Sequence, residues 1–330
     1  MNISVLGAGG WGTALALVLS ANDHAVTLWA RNEDTIGQMR RTRINSAYLP
    51  GVVIPDAINL THDPKEANAA EMLVIAIPTQ FIRPAFADYG LDAEGKIIVS
   101  TSKGVERGTL MRVSEILRDA AGVEARNFAA LTGPSHAEEV ARQLPTTVVA
   151  ASESEDIAKL VQRVFTRSTF RVYHSTDVIG AELGGAVKNV IAISAGIVDG
   201  LGMGDNTKAA LITRGLAEIT RLGVALGAHP ITFSGLSGLG DLIVTCASRH
   251  SRNRAVGEQI AKGKTMEQIR RETQQVAEGV FSSESVYALS KKVGVEMPIA
   301  HKVYEVLFEN KPAPQAMHEL MTREVKPEHW

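Results

Sequence analysis

The first half of the chain alternates short apolar runs with helix-like stretches, and this alternation limits the folds that it can adopt. The runs predict strands at residues 3–6, 25–29, 72–77, 96–100, 128–131 and 146–150, and helices are predicted at residues 11–21, 32–43 and 109–121. Apolar strands joined by helices are typical of a parallel sheet that is covered on both faces. The first half therefore predicts an α/β fold with a Rossmann-like, doubly wound sheet.

The second half has a different character, because strand-like runs almost vanish after about residue 176. Helices are predicted at residues 179–201, 207–226, 253–262, 265–273, 281–293 and 299–308, with Gly- and Pro-rich breaks between them. A length of 330 residues also corresponds to about two domains. We therefore expect a Rossmann-like domain at residues 1–180 and an all-helical C-terminal domain at residues 181–330.

Charge and cysteine content exclude several functional classes. The 34 Lys and Arg residues nearly balance the 36 Asp and Glu residues, so no global basic field attracts nucleic acid, and we expect no such partner. The single cysteine, Cys246, excludes an internal disulfide and a cysteine-based zinc site, and we expect no metal. Lys188 and Asn189 interrupt the longest apolar stretch, at residues 186–198. Without a spanning stretch or a secretion signal, we expect a cytoplasmic protein that does not insert into membranes.

The segment GAGGWG at residues 7–12 matches the pattern G-x-G-x-x-G between a predicted strand and a predicted helix. Gly7 permits a tight turn, Gly9 allows the backbone to approach a pyrophosphate, and Gly12 allows the helix to pack on the strand. The helix N-terminus then faces the anion. A plain Gly-rich turn is the alternative, but the surrounding βαβ pattern favours a dinucleotide cofactor.

The end of the second predicted strand distinguishes between the two nicotinamide dinucleotides. NAD-specific sites usually carry an acidic residue there, which binds the ribose 2′-hydroxyl. This chain has Arg31 instead, and an arginine attracts a 2′-phosphate and stacks on adenine. The sequence therefore predicts that NADP(H) binds at least as well as NAD(H), with an ordinary surface arginine as the alternative.

Two segments of the second half place charged side chains among small and apolar residues. Lys188 lies in a predicted helix that is apolar all round, and burying a lysine is costly unless it has a partner or a function. Asp241 follows a Gly-rich run, and if the next stretch is helical it shares a face with Thr245. The alternatives are a structural ion pair or a solvent-reaching chain for Lys188, and a helix N-cap for Asp241. We interpret the neighbouring Cys246 as a small buried hydrophobe.

A basic segment at residues 248–254 combines cations and hydroxyl groups where a loop meets a helix. This chemistry suits a phosphate monoester, and the alternatives are a solvated loop or a nucleic-acid contact. Lys103 and Ser135 each follow a predicted strand, at the edge where doubly wound sheets bind ligands. We interpret His136 as a surface residue at a helix start rather than as a catalyst.

Together, these segments resemble the bacterial NAD(P)-dependent glycerol-3-phosphate dehydrogenase family. The matching pieces span nearly the whole chain in the family's order: GAGGWGTALA (7–16), YLPG (48–51), SKG (102–104), GPSHAEE (133–139), GGAVKNVIAI (184–193), NTKAALITRGLAE (206–218), SGLGDLIVTC (237–246), SRNR (251–254) and VAEG (276–279). No single piece is decisive, and their joint presence is specific.

The resemblance implies a role for each matching position. Lys188 looks like the family's catalytic acid–base residue, and Lys103 and Asp241 look like its active-site partners. The implied substrate contacts are these three residues together with Gly133, Ser135, Asn189, Thr245, Ser251, Arg252 and Asn253, of which Arg252 and Asn253 bind the phosphate. The implied cofactor contacts are Gly7, Gly9, Gly10, Trp11, Gly12, Arg31, Tyr48, Lys103, Ala137, Arg252, Val276 and Glu278. Gly10 departs from the family, since many members carry a hydroxyl residue there.

The resemblance implies reversible, NADP- or NAD-dependent reduction of dihydroxyacetone phosphate to sn-glycerol 3-phosphate, with Lys188 as proton donor or acceptor. It also implies a homodimer that supplies glycerophospholipid synthesis. Two alternatives stay open at this point. One is a related two-domain reductase of 2-keto or 3-hydroxy acids, in which Arg252 binds a carboxylate. The other is a non-catalytic dinucleotide sensor, which leaves Lys188 unexplained.

Overall fold

The computed structural model describes residues 1–272 and 277–328 of the chain. Eight strands form one sheet: β1 (Asn2–Leu6), β2 (Ala25–Trp29), β3 (Ile58–Thr61), β4 (Met72–Ile75), β5 (Ile97–Ser100), β6 (Phe128–Thr132), β7 (Thr146–Ala151) and β8 (Phe170–Ser175). Their order is β3-β2-β1-β4-β5-β6-β7-β8. The chain thus crosses over between β3 and β4, as a doubly wound sheet requires.

The first six strands pair in parallel, and the predicted Rossmann-like sheet is confirmed. The predicted parallel pairing does not extend to β7, which runs antiparallel to β6 and parallel to β8. The connection from β6 to β7 contains only the five-residue helix α6 (Ala137–Ala141). This helix is too short to carry the chain back along the sheet, so β7 starts from the edge where β6 ends.

Strands β3 and β8 were not predicted from the sequence. They lie at the two edges of the sheet, where burial is less complete than in its centre. In β8 the exposed residues alternate with buried ones, so the segment carries polar side chains such as Arg171 and lacks a continuous apolar run. The central strand β4, in contrast, is buried throughout.

Helices cover both faces of the sheet and give it two apolar cores. Those of the first half are α1 (Gly10–Ser20), α2 (Glu33–Thr42), α3 (Pro64–Asn68), α4 (Ile82–Asp88), α5 (Val113–Ala121), α6 and α7 (Glu155–Phe165). One core includes residues of α1, α2, α6 and α7, and the other includes residues of α3, α4 and α5. The predicted N-cap of α2 is confirmed, since Asn32 Oδ1 accepts from Thr35 N at 2.8 Å.

The second half is helical in its described residues, as predicted. Its helices are α8 (Val178–Gly200), α9 (Gly204–Ala225), α10 (Pro230–Phe233), α11 (Asp241–Ala247), α12 (Arg252–Ala261), α13 (Met266–Glu272), α14 (Glu278–Val293), α15 (Pro298–Phe308) and α16 (Ala313–Met321). Helices α10 and α16 were not predicted, because both begin at or beside prolines that resemble breaks in the sequence. Helix α8 is the centre of this half, and nearly all of its residues are buried.

Among the described residues, two helical stretches are long and apolar enough to cross a membrane by length and composition alone. They are Val178–Gly200 and Pro230–Ala247. Of the most apolar window in the first, 94% is buried inside the protein, as in the core helix of a globular domain. The apolar helix Val178–Gly200 is therefore longer than the stretch at residues 186–198 that the sequence indicated, and it contains Lys188 and Asn189 without a break.

Two buried carboxylates fix the first turns of helix α8. Asp177 is its N-cap, and the same carboxylate accepts from His229 N and Thr232 Oγ1. One turn further on, Glu182 accepts from Arg112 Nη1 at 2.6 Å, and Arg112 belongs to the first half of the chain. The bond between Glu182 and Arg112 fixes α8 beside the carboxyl edge of the sheet, where the candidate site lies, whereas the bonds of Asp177 stay within the second half of the chain.

Candidate active site

A cleft of about 710 Å³ lies where the carboxyl ends of β1, β2, β4 and β5 face helices α8, α11 and α12. Eighteen predicted site residues line it: Gly7, Gly9, Gly10, Trp11, Gly12, Arg31, Tyr48, Lys103, Ser135, Ala137, Lys188, Asn189, Asp241, Thr245, Ser251, Arg252, Asn253 and Glu278. Gly133 does not itself line the cleft, and Val276 lies outside the described residues. Both halves of the chain contribute to one cavity.

At one end of the cleft, the turn between β1 and α1 has the geometry that a dinucleotide needs. Gly7 has φ +113°, and a Cβ on Gly12 would lie 1.9 Å from the Gly7 carbonyl oxygen, so no larger residue fits. A Cβ on Gly9 would meet open space. In the described chain no side chain caps α1, and its first turn holds no acidic residue. The N–H groups of α1 are thus left for an anion such as a pyrophosphate.

Arg31, Tyr48 and Ala137 surround this turn. The guanidinium of Arg31, an exposed residue just beyond β2, lies 6.0 Å from the centre of the Phe81 ring. A Cβ on Gly10 would lie 2.8 Å from the Tyr48 carbonyl oxygen and 3.6 Å from Ala137 Cβ. A residue larger than glycine therefore has no room at position 10 without a shift of the backbone around Tyr48.

The other end of the cleft holds a buried charge cluster. Lys188 Nζ donates to Asp241 Oδ1, and it donates to Thr245 Oγ1 at 2.7 Å. Lys103 Nζ donates to the other carboxylate oxygen, Asp241 Oδ2, at 2.8 Å. The side chain of Asp241 is only 1% exposed and that of Lys188 only 6%. One carboxylate thus holds two lysines at the end of a cavity.

Burial lowers the pKa of Lys188 to about 8, because the low-polarity surroundings disfavour its charged form. The carboxylate of Asp241 opposes this shift, and the charge of Lys103 adds to it. A lysine with a pKa near 8 exchanges protons readily at neutral pH, which an exposed lysine does not. The cluster is therefore suited to acid–base chemistry.

Three local structures position this cluster. Asp241 starts α11 directly after a π-helical turn, Leu236–Gly240, and its carboxylate turns inward to the lysines instead of capping the helix. Helix α11 does place Asp241 and Thr245 on one face, and Thr245 Oγ1 donates to the Asp241 carbonyl oxygen at 2.6 Å. The hydroxyl proton is thereby engaged, so the Thr245 oxygen is free to accept from Lys188.

Lys103 reaches Asp241 from the side of the sheet, and two glycines, Gly185 and Gly133, determine the path of its side chain. A Cβ on Gly185 would lie 3.3 Å from Lys103 Cγ, so the lysine chain passes closely over α8 one turn before Lys188. The Gly133 carbonyl oxygen accepts from Lys103 Nζ at 3.1 Å and from Ser135 Oγ at 2.9 Å. Gly133 therefore orients Lys103 and Ser135 through its backbone.

The start of α12 forms the polar wall beside this cluster. Ser251 is the N-cap, and its Oγ accepts from Arg254 N at 3.2 Å. Arg252 is exposed within the cleft, whereas Asn253 is buried, and Asn253 Nδ2 donates to Asn189 Oδ1 at 2.9 Å. Arg252 also opposes the rise in the pKa of Glu278 that burial causes. A cation and a helix N-terminus thus face the same space.

Sequence reasoning missed several residues of the cleft. Phe81 and Tyr89 lie near Arg31 and Trp29, but nothing in their local sequence signals a ligand. His136 and His250 line the cleft from opposite halves of the chain, with ring centres 5.7 Å apart. His136 is half-buried and thus less exposed than its sequence context indicated. Burial and the charge of Lys188 lower its pKa. Cys246 is buried as predicted, and burial raises its pKa to about 12.

The doubly wound sheet, the glycine turn and the helical half that closes one cleft define a two-domain dinucleotide-binding protein. Family profiles described as the N-terminus and the C-terminus of NAD-dependent glycerol-3-phosphate dehydrogenase match residues 2–158 and 177–318. The chain therefore belongs to the NAD-dependent glycerol-3-phosphate dehydrogenase family.

Individual relatives agree with this assignment. A glycerol-3-phosphate dehydrogenase, NAD(P)+, of Chlorobium luteolum is 54% identical over 331 residues, which cover 99% of each chain. One from a Geobacter species is 52% identical over 99% of this chain and 98% of its own. A crystal structure of glycerol-3-phosphate dehydrogenase from Coxiella burnetii superposes with a TM-score of 0.92 at 36% identity, covering 98% of this chain and 99% of that one.

Proposed function

We propose that the chain catalyses the reversible, NADP- or NAD-dependent reduction of dihydroxyacetone phosphate to sn-glycerol 3-phosphate. The observation that carries the proposal is the Lys188–Asp241–Lys103 cluster, which shares one cleft with the dinucleotide turn. Family membership and the names of the relatives support the same reaction. They favour it over a 2-keto or 3-hydroxy acid reductase and over a non-catalytic sensor.

The residues of the turn fit the cofactor. We assign the pyrophosphate to Gly7, Gly9, Gly10, Trp11 and Gly12 at the start of α1, and the adenosine end to Arg31, Tyr48 and Ala137. Lys103, Arg252 and Glu278 lie further along the same cleft and complete the assignment from described residues. When bound, NAD(P)H supplies the hydride that reduces the substrate carbonyl.

Lys188 handles the proton in this mechanism. Two of its three N–H donors are engaged by Asp241 and Thr245, which leaves one donor for the substrate oxygen. In the reducing direction Lys188 gives its proton to that oxygen, and in the oxidising direction it removes the proton again. Its lowered pKa allows both steps near neutral pH.

The cluster also stabilises charge. Two lysines share one carboxylate, so the group as a whole keeps one excess positive charge next to the cavity. Negative charge that develops on the substrate oxygen is stabilised by this excess, in a position fixed before the reaction. Asp241 keeps both lysines in place and neutralises only one of their two positive charges.

We assign the substrate phosphate to the start of α12. Arg252 provides a cation, Ser251 a hydroxyl donor and the helix its free N–H groups, which suits a phosphate dianion. Gly133 and Ser135 adjoin Lys103, and Asn189, Thr245 and Asn253 complete the substrate pocket in this assignment. Anchoring the phosphate fixes the position of the reacting carbon relative to Lys188.

Further expectations belong to the same proposal. We propose a division into residues 1–180 for the cofactor and residues 181–330 for most of the substrate chemistry, supported by the change from sheet to helices between Ser175 and Val178. We also propose a cytoplasmic homodimer without membrane insertion that supplies glycerophospholipid synthesis. Sedimentation of the purified chain, with the mass of two copies as the expected result, tests the dimer.

A panel of carbonyl substrates tests the proposed reaction. Oxidation of NADPH and NADH is followed with dihydroxyacetone phosphate, unphosphorylated dihydroxyacetone and a set of 2-keto acids. The proposal predicts turnover with dihydroxyacetone phosphate alone at low substrate concentration. Preferential turnover of a 2-keto acid would establish the reductase alternative, and cofactor binding without any turnover would establish the sensor.

A further inference from the structure

A row of three hydrogen-bonding groups runs from the start of α14 to the cleft. Gly279 N donates to Asn253 Oδ1 at 2.9 Å, and Asn253 Nδ2 donates to Asn189 Oδ1 at 2.9 Å. The side chains concerned are buried, with Asn189 4% and Asn253 9% exposed. We call this row the amide relay.

The direction of the relay is set at one end by the backbone. A peptide N–H can only donate, so the atom of Asn253 that faces Gly279 must be its oxygen. The nitrogen of Asn253 then faces Asn189, and only the oxygen of Asn189 can accept from it. Amide orientations are assigned from such networks, and this network admits one assignment.

The consequence appears at the cleft end. With its oxygen engaged by Asn253, Asn189 is left with its two N–H donors, and it lines the cleft next to Lys188. Within residues 1–272 and 277–328, no protein acceptor is recorded for Asn189 Nδ2. Both N–H donors of the Asn189 side chain are therefore available to a ligand in the cavity, while its oxygen already accepts from Asn253.

Close packing at Gly279 keeps the groups of the amide relay within hydrogen-bond distance. A Cβ on Gly279 would lie 2.8 Å from Asn253 Oδ1 and 2.7 Å from the Asn189 carbonyl oxygen, so only glycine allows the start of α14 to approach this closely. The preceding residue, Glu278, lines the cleft as well. The relay thus links the segment assigned to the cofactor with the residue beside Lys188.

We propose that Asn253 and Gly279 are positioning residues, which hold the amide of Asn189 with its donors toward an acceptor oxygen of the substrate. This proposal rests on the proposed function and adds to it a role for Asn253 that is separate from direct phosphate contact. Donors oriented in advance need no reorganisation when negative charge develops on a substrate oxygen. Asn253 acts, in this account, through Asn189.

A double-mutant cycle tests the proposal. Asn253→Ala and the isosteric Asn253→Asp are each made in the wild type and in Asn189→Ala. Asp still accepts from Gly279 N but cannot donate to Asn189 when ionised, so both substitutions release the Asn189 amide. In the wild type each should lower kcat/KM for dihydroxyacetone phosphate by roughly tenfold or more, with an unchanged Kd for NADPH. In Asn189→Ala, the Asn253→Ala substitution should cost less than about threefold, whereas the negative charge that Asn253→Asp adds still repels the substrate phosphate in that background.

Ser283→Ala is the matched control. Ser283 Oγ donates to the Gly279 carbonyl oxygen at 2.7 Å, so this change removes a buried hydrogen bond from the same segment without touching the relay. It should lower the melting temperature and leave kcat/KM unchanged. Gly279→Ala displaces Asn253 and also clashes with the Asn189 carbonyl oxygen, so it should reproduce the Asn253→Ala loss and should retain the part caused by the backbone clash in the Asn189→Ala background.

The same cycle is measured by calorimetric binding of sn-glycerol 3-phosphate, which requires no turnover. Coupled losses in kcat/KM or in binding support the relay. A full, additive loss for Asn253→Ala in the Asn189→Ala background would overturn it, because Asn253 would then act on the ligand independently. An inactive wild type with coupled binding losses would instead overturn the proposed reaction and retain the relay.

Discussion

In the proposed function, the two ends of the cleft use opposite means to receive anionic ligands. The turn at residues 7–12 works through missing side chains and the free N–H groups of α1. The cluster around Asp241 works through buried side-chain charges that three separate elements bring together. The first is local in the sequence, while the second exists only after the fold has formed. The difference shows that one end of the cavity can be recognised from neighbouring residues in the sequence, whereas the other depends on residues far apart in the sequence that the fold brings together.

The largest expected effect is at the charge cluster. Lys188→Ala removes the group that we propose exchanges the proton, so kcat should fall by a factor of roughly 10²–10⁴. The Kd for NADPH should stay within about twofold, because the turn at the other end is untouched. Steady-state kinetics with dihydroxyacetone phosphate and fluorescence titration of NADPH measure the two quantities. An active Lys188→Ala variant would remove Lys188 from the mechanism.

Asp241→Asn tests whether the carboxylate holds the two lysines. It leaves the buried Lys188 and the partly buried Lys103 without their counter-charge, which should cost about 3–5 kcal/mol of unfolding free energy. The loss should be largest when Lys188 is protonated. Since its folded pKa lies below its unfolded value, its contribution to stability improves as the pH rises above about 8. Denaturant unfolding at two pH values checks this, and equal losses at both would contradict it.

Gly12→Ala tests the other end of the cleft, the glycine turn between β1 and α1. A Cβ at this position would lie 1.9 Å from the Gly7 carbonyl oxygen, so the turn must open. Overpacking of this kind costs about 1–3 kcal/mol, and we expect the Kd for NADPH to rise by roughly one to two orders of magnitude. Binding of sn-glycerol 3-phosphate to the cofactor-free protein should change little. Normal NADPH affinity in Gly12→Ala would separate the cofactor from this turn.

The smallest expected effect concerns cofactor choice. Arg31 lies beside Phe81 at the end of β2, where a 2′-phosphate would pair with its guanidinium. Arg31→Ala should weaken NADPH by about tenfold, the scale of one charge-assisted contact at an exposed site, and should weaken NADH much less. Equal losses for both cofactors would assign Arg31 to adenine stacking alone.

The comparison also explains how much could be predicted from the sequence. The glycine turn, the N-cap at Asn32 and the long helix α8 were predictable, because each depends on neighbouring residues. Edge strand β8 and helix α16 were not, since tertiary packing decides both. The sequence indicated that Lys188 and Asp241 were unusual, but nothing local showed that one carboxylate bonds both lysines.

The site shows the same limit at other residues. Asn189 entered the prediction only through the family resemblance, and Asn253 also as a member of the basic segment at residues 248–254. Their shared hydrogen bond joins residues 64 positions apart. The contact between His136 and His250 likewise forms only when the two halves of the chain close on each other. Spacing in the sequence carries no information about such pairs.

The most direct test of the central claim is the pH dependence of kcat/KM in both directions. If Lys188 exchanges the proton with a pKa of about 8, oxidation of sn-glycerol 3-phosphate should rise with pH through that value. Reduction of dihydroxyacetone phosphate should fall through the same value. Profiles that stay flat across this range in both directions, or a break that Lys188→Ala retains, would contradict the account.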